Sequence, residues 1–428
     1  MSLSYRTKIL VDHTLGLIVV LVLKFAAKAL SLILRRDHSI PQNPRSIVVA
    51  KLVGLGSIVY SGILCRALKE RYPSAKIIYI TSRENEGLAK RLYGVDEVLC
   101  IEANSLFSII KSGVGLVLRL WRRRPELYFD LEVYSSFSAT LATVSLARNR
   151  YGFYRKSAGF KKNLHTHMIF FNIQRHISEM YSQMALCVKA KPHRCVKGVF
   201  APTDNGRKES QALLSSWIPD GYKLVLVNMN ASELLFERRW PSERWTDFLA
   251  QAAERWPMHV WLLVGSPSEA AYVSGIHERL PEETKMKVHN VAGKLSLEAF
   301  LGLVERCDLM ITNDSGPLHI ALALGKPTVS MWGPVSPNSY APREGVHEVI
   351  YTQTYCSPCL HQADFPPCEG NNVCMKKITV ASLLQATERI LGREAETLPG
   401  SDNADGVHIT CENLVDFNPV ILHGNFEL

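Results

Sequence analysis

The sequence predicts an α/β fold with two doubly wound domains, each built on a parallel sheet. Short apolar runs of strand length alternate with longer helical patterns along most of the 428 residues, which is typical of βαβ units. The alternation is lost between 151 and 200 and then restarts, which indicates two domains. A chain of this length can bury two separate hydrophobic cores.

The predicted domains are 45–205 and 206–395, preceded by a helix and linker at 1–44 and followed by a polar tail at 396–428. In the first domain we predict strands at 46–52, 76–81, 98–101 and 127–133, and helices at 57–72, 84–93, 105–121 and 137–146. In the second we predict strands at 224–229, 259–265, 309–312 and 328–332, and helices at 245–255, 297–305 and 380–391. Residues 151–200 are expected to be loop-rich with one helix.

The N-terminal segment is predicted to be a membrane-associated helix. Residues 15–34 are almost wholly apolar, and their length fits the roughly 20 residues of a spanning helix. However, Lys24 and Lys28 interrupt the run, and a charge at the centre of a span costs about 2.5–3.5 kcal/mol. Asp12, both lysines and Arg35 tend to share one helical face. We therefore favour an interfacial helix with snorkelling lysines over a span, with packing on the protein's own surface as the third alternative.

The charge balance favours an anionic partner. The net charge is +9 at pH 7, which suits a membrane surface or a phosphorylated substrate. Nucleic acid is not expected, because the basic residues are scattered and no nucleic-acid-binding motif occurs. No small-residue cleavage site follows residue 34, so a cleaved signal peptide is not expected either.

A turn between a predicted strand and a predicted helix, at 312–321, is typical of an anion site. Asp314 or Ser315 can cap the helix, and Pro317 suits the first turn, where an N–H is not needed. Gly316 allows close approach of a ligand to the backbone. The free N–H groups and the positive helix end then face an anion, although such turns also occur in proteins that bind no phosphate. His319 either donates to a phosphate oxygen or is a buried helix histidine.

Three segments together resemble the heptosyltransferase-like glycosyltransferases of family 9, over residues 45–392. The segments are Asn313–Ala321 with Gly325-Lys326-Pro327 and Trp332-Gly333-Pro334, Asn230-Ala231-Ser232 with Arg238-Arg239-Trp240-Pro241 and Glu243-Arg244-Trp245, and Val48–Leu52 with Gly54–Val59. The resemblance implies the GT-B architecture, in which two Rossmann-like domains face a cleft. It also implies an inverting, metal-independent transfer of a heptose-like or other hexose sugar from a nucleoside-diphosphate donor. The acceptor would be a lipid-linked or lipopolysaccharide-type saccharide at the cytoplasmic face of a bacterial inner membrane.

The resemblance also implies roles for residues of the second domain, which would bind the donor. Arg238 stands where the family usually has Lys and would neutralise the diphosphate leaving group, although it could also be part of a charged helix-entry turn. No cofactor would be required. The remaining candidate donor-binding residues lie at predicted strand ends and in the anion turn: Asn230, Ser232, Gly265, Glu269, Asn313, Asp314, Ser315, Gly316, Pro317 and His319.

The first domain would bind the acceptor, and here the chain departs from the family. The family has an Asp directly after the second glycine of the first loop, which is thought to deprotonate the acceptor hydroxyl. In this chain Gly56 is followed by Ser57, whose hydroxyl is too weak a base unaided. The same loop lacks the third glycine of a dinucleotide fingerprint, so nicotinamide binding is not expected.

Asp130 and Glu132 are the candidate replacement bases. They lie at the carboxyl end of a predicted strand, where open α/β sheets bind ligands, and alternation puts them on one face. A shielded carboxyl has a raised pKa suited to a base, and we prefer Glu132. The alternative is that Asp130 caps the next segment and Glu132 pairs with an arginine. His165 could contact the acceptor or lie in a surface loop.

Four cysteines cluster near the end of the second domain, at Cys356, Cys359, Cys368 and Cys374. Four thiols at this spacing could hold a structural zinc, with reduced thiols as the alternative in a cytosolic protein. Catalytic metal is not proposed, because no Asp-x-Asp motif occurs at a predicted strand end and a helix end with Arg238 can supply the same charge.

Two other functions fit parts of this pattern. A GT-B sugar-nucleotide epimerase would need neither membrane anchor nor acceptor groove. A non-catalytic binding subunit of glycosyltransferase fold would explain the missing Asp. Turnover with a lipid acceptor would distinguish all three hypotheses.

Overall fold

The computed structural model describes residues 5–34, 37–215, 217–231, 235–360, 362, 366–396 and 421–423. The chain forms two compact units. The N-terminal unit comprises residues 1–199 with 414–428, and the C-terminal unit comprises residues 200–413.

The N-terminal unit is a parallel α/β sheet with one added antiparallel strand. Its helices are α1 (Tyr5–Leu34), α2 (Leu55–Arg71), α3 (Glu86–Ala89), α4 (Leu106–Arg123), α5 (Ser136–Val144) and α6 (Ile177–Leu186). Its strands are β1 (Ser46–Ala50), β2 (Lys76–Ser82), β3 (Glu97–Ile101), β4 (Leu127–Asp130), β5 (Asn149–Tyr154) and β6 (His167–Phe170), together with the last described strand of the chain, Ile421–His423.

The order of the strands places the carboxyl ends of β1 and β4 side by side. From β1 the chain moves to β2 and β3 on one side, whereas β4, β5 and β6 extend the sheet on the other. Ala50 of β1 is in register with Asp130 of β4, so the loops that follow these strands are neighbours. This is the topological switch point at which open α/β sheets bind ligands.

The C-terminal unit repeats this plan. Its helices are α7 (Asp204–Leu214), α8 (Ser242–Arg255), α9 (Ala270–Glu278), α10 (Glu282–Lys285), α11 (Leu297–Arg306), α12 (Gly316–Ala323), α13 (Pro337–Tyr340), α14 (Val373–Lys376) and α15 (Val380–Glu396). Its strands are β7 (Lys223–Asn228), β8 (His259–Leu263), β9 (Val288–Asn290), β10 (Leu309–Asn313), β11 (Thr328–Trp332) and β12 (His347–Tyr351); the last described strand of the chain, in the other unit, is β13.

The C-terminal sheet is parallel in the order β12-β11-β10-β7-β8-β9. Its switch point lies between β7 and β10, where Asn228 is in register with Thr312. Both strands are buried apart from Lys223 at the start of β7, as expected of a sheet covered on both faces. The switch point therefore presents the segment after Asn228 beside the turn that opens α12.

Several predicted elements were wrong or missed. Residues 151–200 are not simply loop-rich, because they include most of β5 and all of β6, which β13 extends as an antiparallel partner. The helix predicted at 84–93 is a 3₁₀ turn followed by the short α3. Seven further elements lie in stretches for which no prediction was made, namely α7, α9, α10, α13, α14, β9 and β12. Their apolar runs are short or interrupted by polar residues, so periodicity did not reveal them.

Helix α1 packs against α5. Val20 of α1 is buried with Ala139 of α5 and Leu164, and Asp12 accepts hydrogen bonds from the first backbone N–H groups of α5. Other apolar side chains of α1, including Leu21 and Phe25, are exposed. Within the described part of the chain, no helix has both the length and the apolar character needed to cross a membrane.

Candidate functional site

The turn between β10 and α12 is held by a network of buried polar side chains. Asn228, at the end of β7, donates through Nδ2 to the hydroxyls of Ser315 at 2.8 Å and Thr312 at 3.0 Å. The two hydroxyls are themselves 3.0 Å apart. Because all three side chains are buried, the network fixes the backbone of the turn and the direction of the helix that follows.

This network leaves the N-terminus of α12 without a side-chain cap. Ser315 occupies the N-cap position with an extended backbone, but its side chain makes no cap hydrogen bond. Its hydroxyl faces Asn228 instead, so the predicted capping by Asp314 or Ser315 is wrong. Pro317 does lie in the first turn, as expected. The N–H groups of the first turn and the positive end of the helix are therefore available to an anion.

Arg238 lies next to this helix end. Its Nη1 is 3.6 Å from Asp314 Oδ2, and Nε2 of His319 is 3.9 Å from Asp314 Oδ1. Burial, together with the charge of Arg238, lowers the pKa of His319 to about 3, so the imidazole is neutral at physiological pH. Burial also raises the pKa of Asp314, and Arg238 opposes that shift. The cluster combines one guanidinium, a helix N-terminus and a weakly held carboxyl, which favours a polyanionic ligand.

Three buried polar atoms at this site have no hydrogen-bond partner within the described part of the chain. They are Nε of Arg238 and the Oδ1 atoms of Asn230 and Asn313. Buried polar atoms are nearly always paired in folded proteins, so such atoms at a strand end indicate a ligand or water that completes them. Nε of Arg238 would donate a hydrogen bond to a phosphate oxygen, and the two Oδ1 atoms would accept hydrogen bonds from hydroxyl groups.

Arg238 and the residues that follow it have different surroundings. The guanidinium of Arg239 lies over the rings of Phe236 and Tyr272, at 4.7 and 4.3 Å. Trp240 is buried edge-to-face against Trp245. The helix-entry turn is therefore a packed corner, as one alternative proposed, and it also brings Arg238 to the anion site.

The loop after β8 contributes Gly265. A Cβ atom at this position would lie 2.8 Å from Nδ2 of Asn230, which donates to the carbonyl of Val264, so only glycine fits beside Asn230. Glu269 instead closes a local turn by accepting two hydrogen bonds from Ser266, each of 2.8 Å. Its predicted contact with the nucleotide stays a prediction, and Ser232 lies outside the described residues.

In the N-terminal unit, Glu132 connects the carboxyl ends of β4 and β1. Its Oε2 lies 2.8 Å from Nζ of Lys51, and Oε1 accepts from the backbone N–H groups of Leu52 at 2.8 Å and Val53 at 3.1 Å. The predicted alternative of an ion pair is thus realised with a lysine rather than an arginine. The carboxylate positions the loop that leads into α2, while its side chain keeps about 10% exposure.

The loop held by Glu132 leads to the residues predicted on the acceptor side. Gly54 has a φ of 87° and occupies the N-cap position of α2, a conformation that favours glycine. Gly56 and Ser57 lie in the first turn of that helix and are half-buried. Ser57 therefore occupies the helix start at the switch point, beside a loop that Glu132 holds in place.

Asp130 is enclosed by donors. Its carboxylate accepts from Lys161 Nζ at 2.8 Å, His165 Nε2 at 3.0 Å, Ser138 Oγ at 2.6 Å and the backbone N–H of Glu132 at 3.1 Å. Burial alone would raise the pKa of Asp130, but Lys161 and His165 hold it well below its usual range. The role of Asp130 as a base stays a prediction, and its complete burial within these donors does not support it.

His165 belongs to the same buried network. It is 2% exposed, so its predicted contact with an acceptor stays a prediction that its burial does not support. Burial lowers the pKa of His165, and its hydrogen bond to Asp130 opposes that shift. Lys161 was not anticipated from the sequence, because it lies in a 3₁₀ segment without periodicity and is followed by a second lysine.

The four clustered cysteines are free thiols. Cys374 is buried, which raises its pKa to about 11, and the other three are half-buried. Among the residues that the structure describes, no group of three or more His, Cys, Asp or Glu side chains is arranged to hold a metal ion. The hypothesis of a structural zinc thus receives no support.

Comparisons with known proteins agree with the resemblance. The sequence model of glycosyltransferase family 9 (heptosyltransferase) matches residues 131–368, more than half of the chain. The lipopolysaccharide core heptosyltransferase OpsX of Haemophilus influenzae is 23% identical, covering 72% of this chain and 84% of that protein. The lipopolysaccharide heptosyltransferase 1 of Campylobacter coli is 21% identical, covering 81% of this chain and 99% of that protein.

Solved structures share the fold. A family 9 glycosyl transferase from Veillonella parvula gives a TM-score of 0.68 at 20% identity, covering 83% of this chain and 100% of that chain. The ADP-heptose lipopolysaccharide heptosyltransferase II of E. coli gives 0.66 at 20% identity, covering 82% of this chain and 99% of that chain. The predicted fold of two parallel α/β sheets is confirmed, and the protein is a glycosyltransferase that belongs to family 9, the heptosyltransferase family.

Proposed function

We propose that this protein is an inverting, metal-independent glycosyltransferase that moves a heptose-like sugar from a nucleoside diphosphate to a lipopolysaccharide-type acceptor. The uncapped N-terminus of α12, with Arg238 beside it, carries the proposal, because it is suited to a diphosphate. The acceptor class is supported by the relatives from Haemophilus and Campylobacter, which are named as lipopolysaccharide heptosyltransferases. Other hexoses and other lipid-linked saccharides fit the same site.

The C-terminal unit supplies the groups that stabilise the leaving diphosphate. The first-turn N–H groups of α12 would bind phosphate oxygens, and Arg238 would take up charge as the bond from the anomeric carbon to the phosphate oxygen breaks. The Oδ1 atoms of Asn230 and Asn313 would accept hydrogen bonds from hydroxyl groups of the sugar or ribose. A helix end and a guanidinium perform the electrostatic work that a metal ion does in other transferases.

We assign the general base to Glu132. In an inverting transfer the acceptor oxygen attacks the anomeric carbon in one displacement and loses its proton to a base. With Asp130 enclosed, Glu132 is the carboxylate at the switch point that keeps some exposure, and it adjoins the loop where the family has its Asp. Its hydrogen bonds to Lys51 and to the loop would hold it in position.

A second candidate function is a non-catalytic binding subunit of the same fold. Two observations favour it: Ser57 replaces the family's Asp, and the carboxylate of Glu132 already accepts hydrogen bonds at both oxygens. This candidate predicts binding of the donor without transfer to any acceptor. No observation of this chain favours the epimerase.

The location that we propose is the cytoplasmic face of the bacterial inner membrane. The net positive charge and the exposed apolar side chains of α1 support contact with an anionic lipid surface. Full-length protein should sediment with anionic vesicles, whereas a chain that begins at Ser46 should do so less. Equal sedimentation of the two would exclude α1 as a membrane contact.

Donor binding is the first test of the proposed function. Thermal unfolding should be measured with ADP, UDP, GDP and CDP, because a ligand at a hundred times its dissociation constant stabilises by about 2.7 kcal/mol. We expect one nucleotide to raise the melting temperature of the wild type and to act much less on Arg238→Ala. The matched control is Arg239→Ala, which should keep the response. No response to any nucleotide diphosphate would contradict the donor site.

A further inference from the structure

Helix α4 has an outward apolar stripe that nothing in the described part of the chain covers. The stripe consists of Leu106, Phe107, Ile110, Val114, Leu118 and Trp121. Phe107 is 74% exposed, and Ile110 and Val114 are each 56% exposed. The spacing of three or four residues places these side chains along one face of the helix, from its first turn to its last. An exposed apolar stripe of this length indicates a surface that binds something.

The core does not explain the stripe. Leu116 and Leu120 on the inner face of α4 are buried against the sheet, together with Leu141 of α5. These residues already account for the packing of the helix. The outer face is therefore apolar for another reason, since exposed positions of a surface helix are normally polar.

The residues that border the stripe are cationic. Lys111, Arg119, Arg122 and Arg124 are exposed, and helix α4 contains no carboxylate. Arg123 pairs with Glu97 at 3.1 Å, whereas the four bordering residues form no ion pair among the described residues. An apolar stripe bordered by basic side chains, with Trp at its end, is typical of a helix that lies in the interface of an anionic bilayer.

Helix α1, which packs against α5, exposes a second apolar surface. Helices α4 and α5 pack on one face of the sheet, and Phe137 of α5 packs on that core beside Gly113 of α4. Helix α1 packs against α5 through Val20 and leaves Val22 and Phe25 exposed. Both exposed apolar surfaces thus belong to a helical layer in the sense that α1 and α4 each contact α5.

We propose that α4 is a second membrane-contacting element, whose outer face inserts into the headgroup region of an anionic bilayer. Its apolar stripe would lie against the upper acyl chains, and the four bordering cations would bind lipid phosphates. The proposal deepens the membrane location proposed above, but lipid binding by α4 does not depend on which sugar is transferred or on whether transfer occurs. It would hold the N-terminal unit against the surface in which a lipid-linked acceptor is embedded.

A lipid surface explains the stripe better than a second copy of the chain does. Lys24 and Lys28 on α1 and the cations of α4 all have the same sign, so symmetrical association through this layer would bring like charges together. An anionic bilayer neutralises all of them at once. Each cation near such a surface adds to the attraction, which is weakened by salt.

The test is vesicle co-sedimentation of the full chain with phosphatidylcholine alone and with phosphatidylcholine containing phosphatidylglycerol. The stripe variant Phe107→Ser/Ile110→Ser/Val114→Ser should lower the partition coefficient onto anionic vesicles by about tenfold or more. The charge variant Arg119→Gln/Arg122→Gln/Arg124→Gln should lose most of the preference for anionic vesicles and most of the sensitivity to salt.

Matched controls carry the same number of Ser or Gln replacements at exposed apolar or cationic residues of the C-terminal unit. Met258→Ser/Met286→Ser/Val346→Ser removes three exposed apolar residues, and Lys208→Gln/Lys294→Gln/Lys377→Gln removes three exposed cations. Both controls should bind vesicles like the wild type. Hydrogen exchange of the wild type reports on α4 separately from α1. Backbone amides of residues 106–124 should exchange more slowly when anionic vesicles are present.

Four outcomes would overturn the proposal. In the first, both α4 variants bind vesicles as well as the wild type does, and in the second, hydrogen exchange over 106–124 is unchanged in vesicle-bound protein. In the third, the protein without lipid is a dimer that the stripe variant converts to monomer. In the fourth, vesicle binding increases when the chain is ended at residue 396. The third would assign the stripe to a second copy, and the fourth to the acidic segment 397–420. Nucleotide binding by the α4 variants should match the wild type, so failure of this proposal and failure of the proposed function are read separately.

Discussion

The two units place polar clusters at the same position of the same topology, yet the clusters differ in how their groups are paired. At the switch point of the N-terminal unit, the carboxylates of Asp130 and Glu132 accept hydrogen bonds from lysines, a histidine, a serine and backbone N–H groups. At the switch point of the C-terminal unit, Arg238 is 3.6 Å from its carboxylate partner, and the Oδ1 atoms of two asparagines are buried without partners among the described residues.

This difference separates groups that stabilise the fold from groups that await a ligand. In the N-terminal network every carboxylate oxygen is paired, although Nδ1 of His165 is buried without a partner among the described residues, and each paired member is costly to remove. Donors and acceptors left unsatisfied by the protein reduce stability, but they are available to the diphosphate sugar that we propose as the substrate. Glu132 stands between the two classes, because it is hydrogen-bonded like a structural group and slightly exposed like a reactive one.

The largest effect is expected from Glu132. Glu132→Gln keeps the size of the side chain but removes the basic oxygen, so transfer should fall by about 10²–10⁴-fold while donor binding survives. Lys51→Met removes the ion pair but keeps the carboxylate and should reduce transfer less. Both variants should be assayed for transfer and for nucleotide binding.

Equal losses of transfer activity in Glu132→Gln and Lys51→Met would mean that Glu132 acts only by positioning the loop. A wild-type protein that binds the donor but transfers to no acceptor would favour the non-catalytic subunit. These outcomes decide whether Glu132 is a structural group or a reactive one.

The next largest effect is expected from the saturated network. Asp130→Asn leaves Lys161 charged and buried, which should lower the free energy of unfolding by about 3–5 kcal/mol. The folded pKa of Asp130 is depressed, so this contribution is present above about pH 4 and is lost as the pH falls below that. Urea unfolding at pH 7 gives the measurement.

The matched substitution in the other cluster is Asp314→Asn. Burial raises the pKa of Asp314, so the neutral amide resembles the form that its surroundings favour. Its effect on unfolding should therefore be within about 1 kcal/mol of zero. Equal destabilisation by Asp130→Asn and Asp314→Asn would contradict the distinction between the two clusters.

A third prediction concerns Arg238 in catalysis. Arg238→Ala should lower turnover by about 10²-fold, the usual effect of removing a group that stabilises developing charge. Arg238→Lys should restore part of the loss, because a lysine supplies charge without bidentate contact. Turnover by Arg239→Ala should stay near that of the wild type, since Arg239 stacks on aromatic rings. Unchanged turnover in Arg238→Ala would remove Arg238 from the mechanism.

The contrast between the clusters also explains which parts of the site could be predicted from sequence. The turn between β10 and α12 was predicted because its signals are local: a strand, a glycine, a proline and a helix lie within ten residues. The capping of α12 was misassigned because the partner of Ser315 is Asn228, which is 87 residues away. The partners of Asp130 were missed for the same reason, since Lys161 and His165 are 31 and 35 residues away. A periodicity argument contains no information about such non-local pairs.

The fold was predictable where burial is uniform. Strands β1 and β7 each contain a continuous, fully buried apolar run, and both were predicted within two residues of their bounds. Strand β5 contains Asn149 and Arg150, so its pattern resembles a loop although the sheet buries it. Tertiary context supplied the partners of these polar groups, and sequence pattern alone could not.

The smallest predicted effect concerns two buried histidines, one in each cluster. The pKa of His319 falls to about 3, whereas an unfolded histidine titrates near 6.5, so the unfolded state binds more protons between these values. Stability due to a neutral His319 is therefore fully present above pH 6.5 and is lost as the pH falls, by about 2 kcal/mol at pH 5. His319→Gln cannot titrate and should lose less stability between pH 7 and pH 5, as measured by urea unfolding without ligand.

His165 gives the comparison. Burial lowers its pKa as well, but the hydrogen bond to ionised Asp130 opposes that shift, whereas the charge of Arg238 reinforces the shift of His319. His165→Gln should therefore change the pH dependence less than His319→Gln does, although it should cost more stability at pH 7 because it disturbs one of the two contacts, from Lys161 and His165, to Oδ2 of buried Asp130. The reverse order of the two pH effects would mean that the saturated cluster does not offset the burial of its histidine. In that case the different hydrogen-bond pairing of the two clusters would not explain how their stability depends on pH.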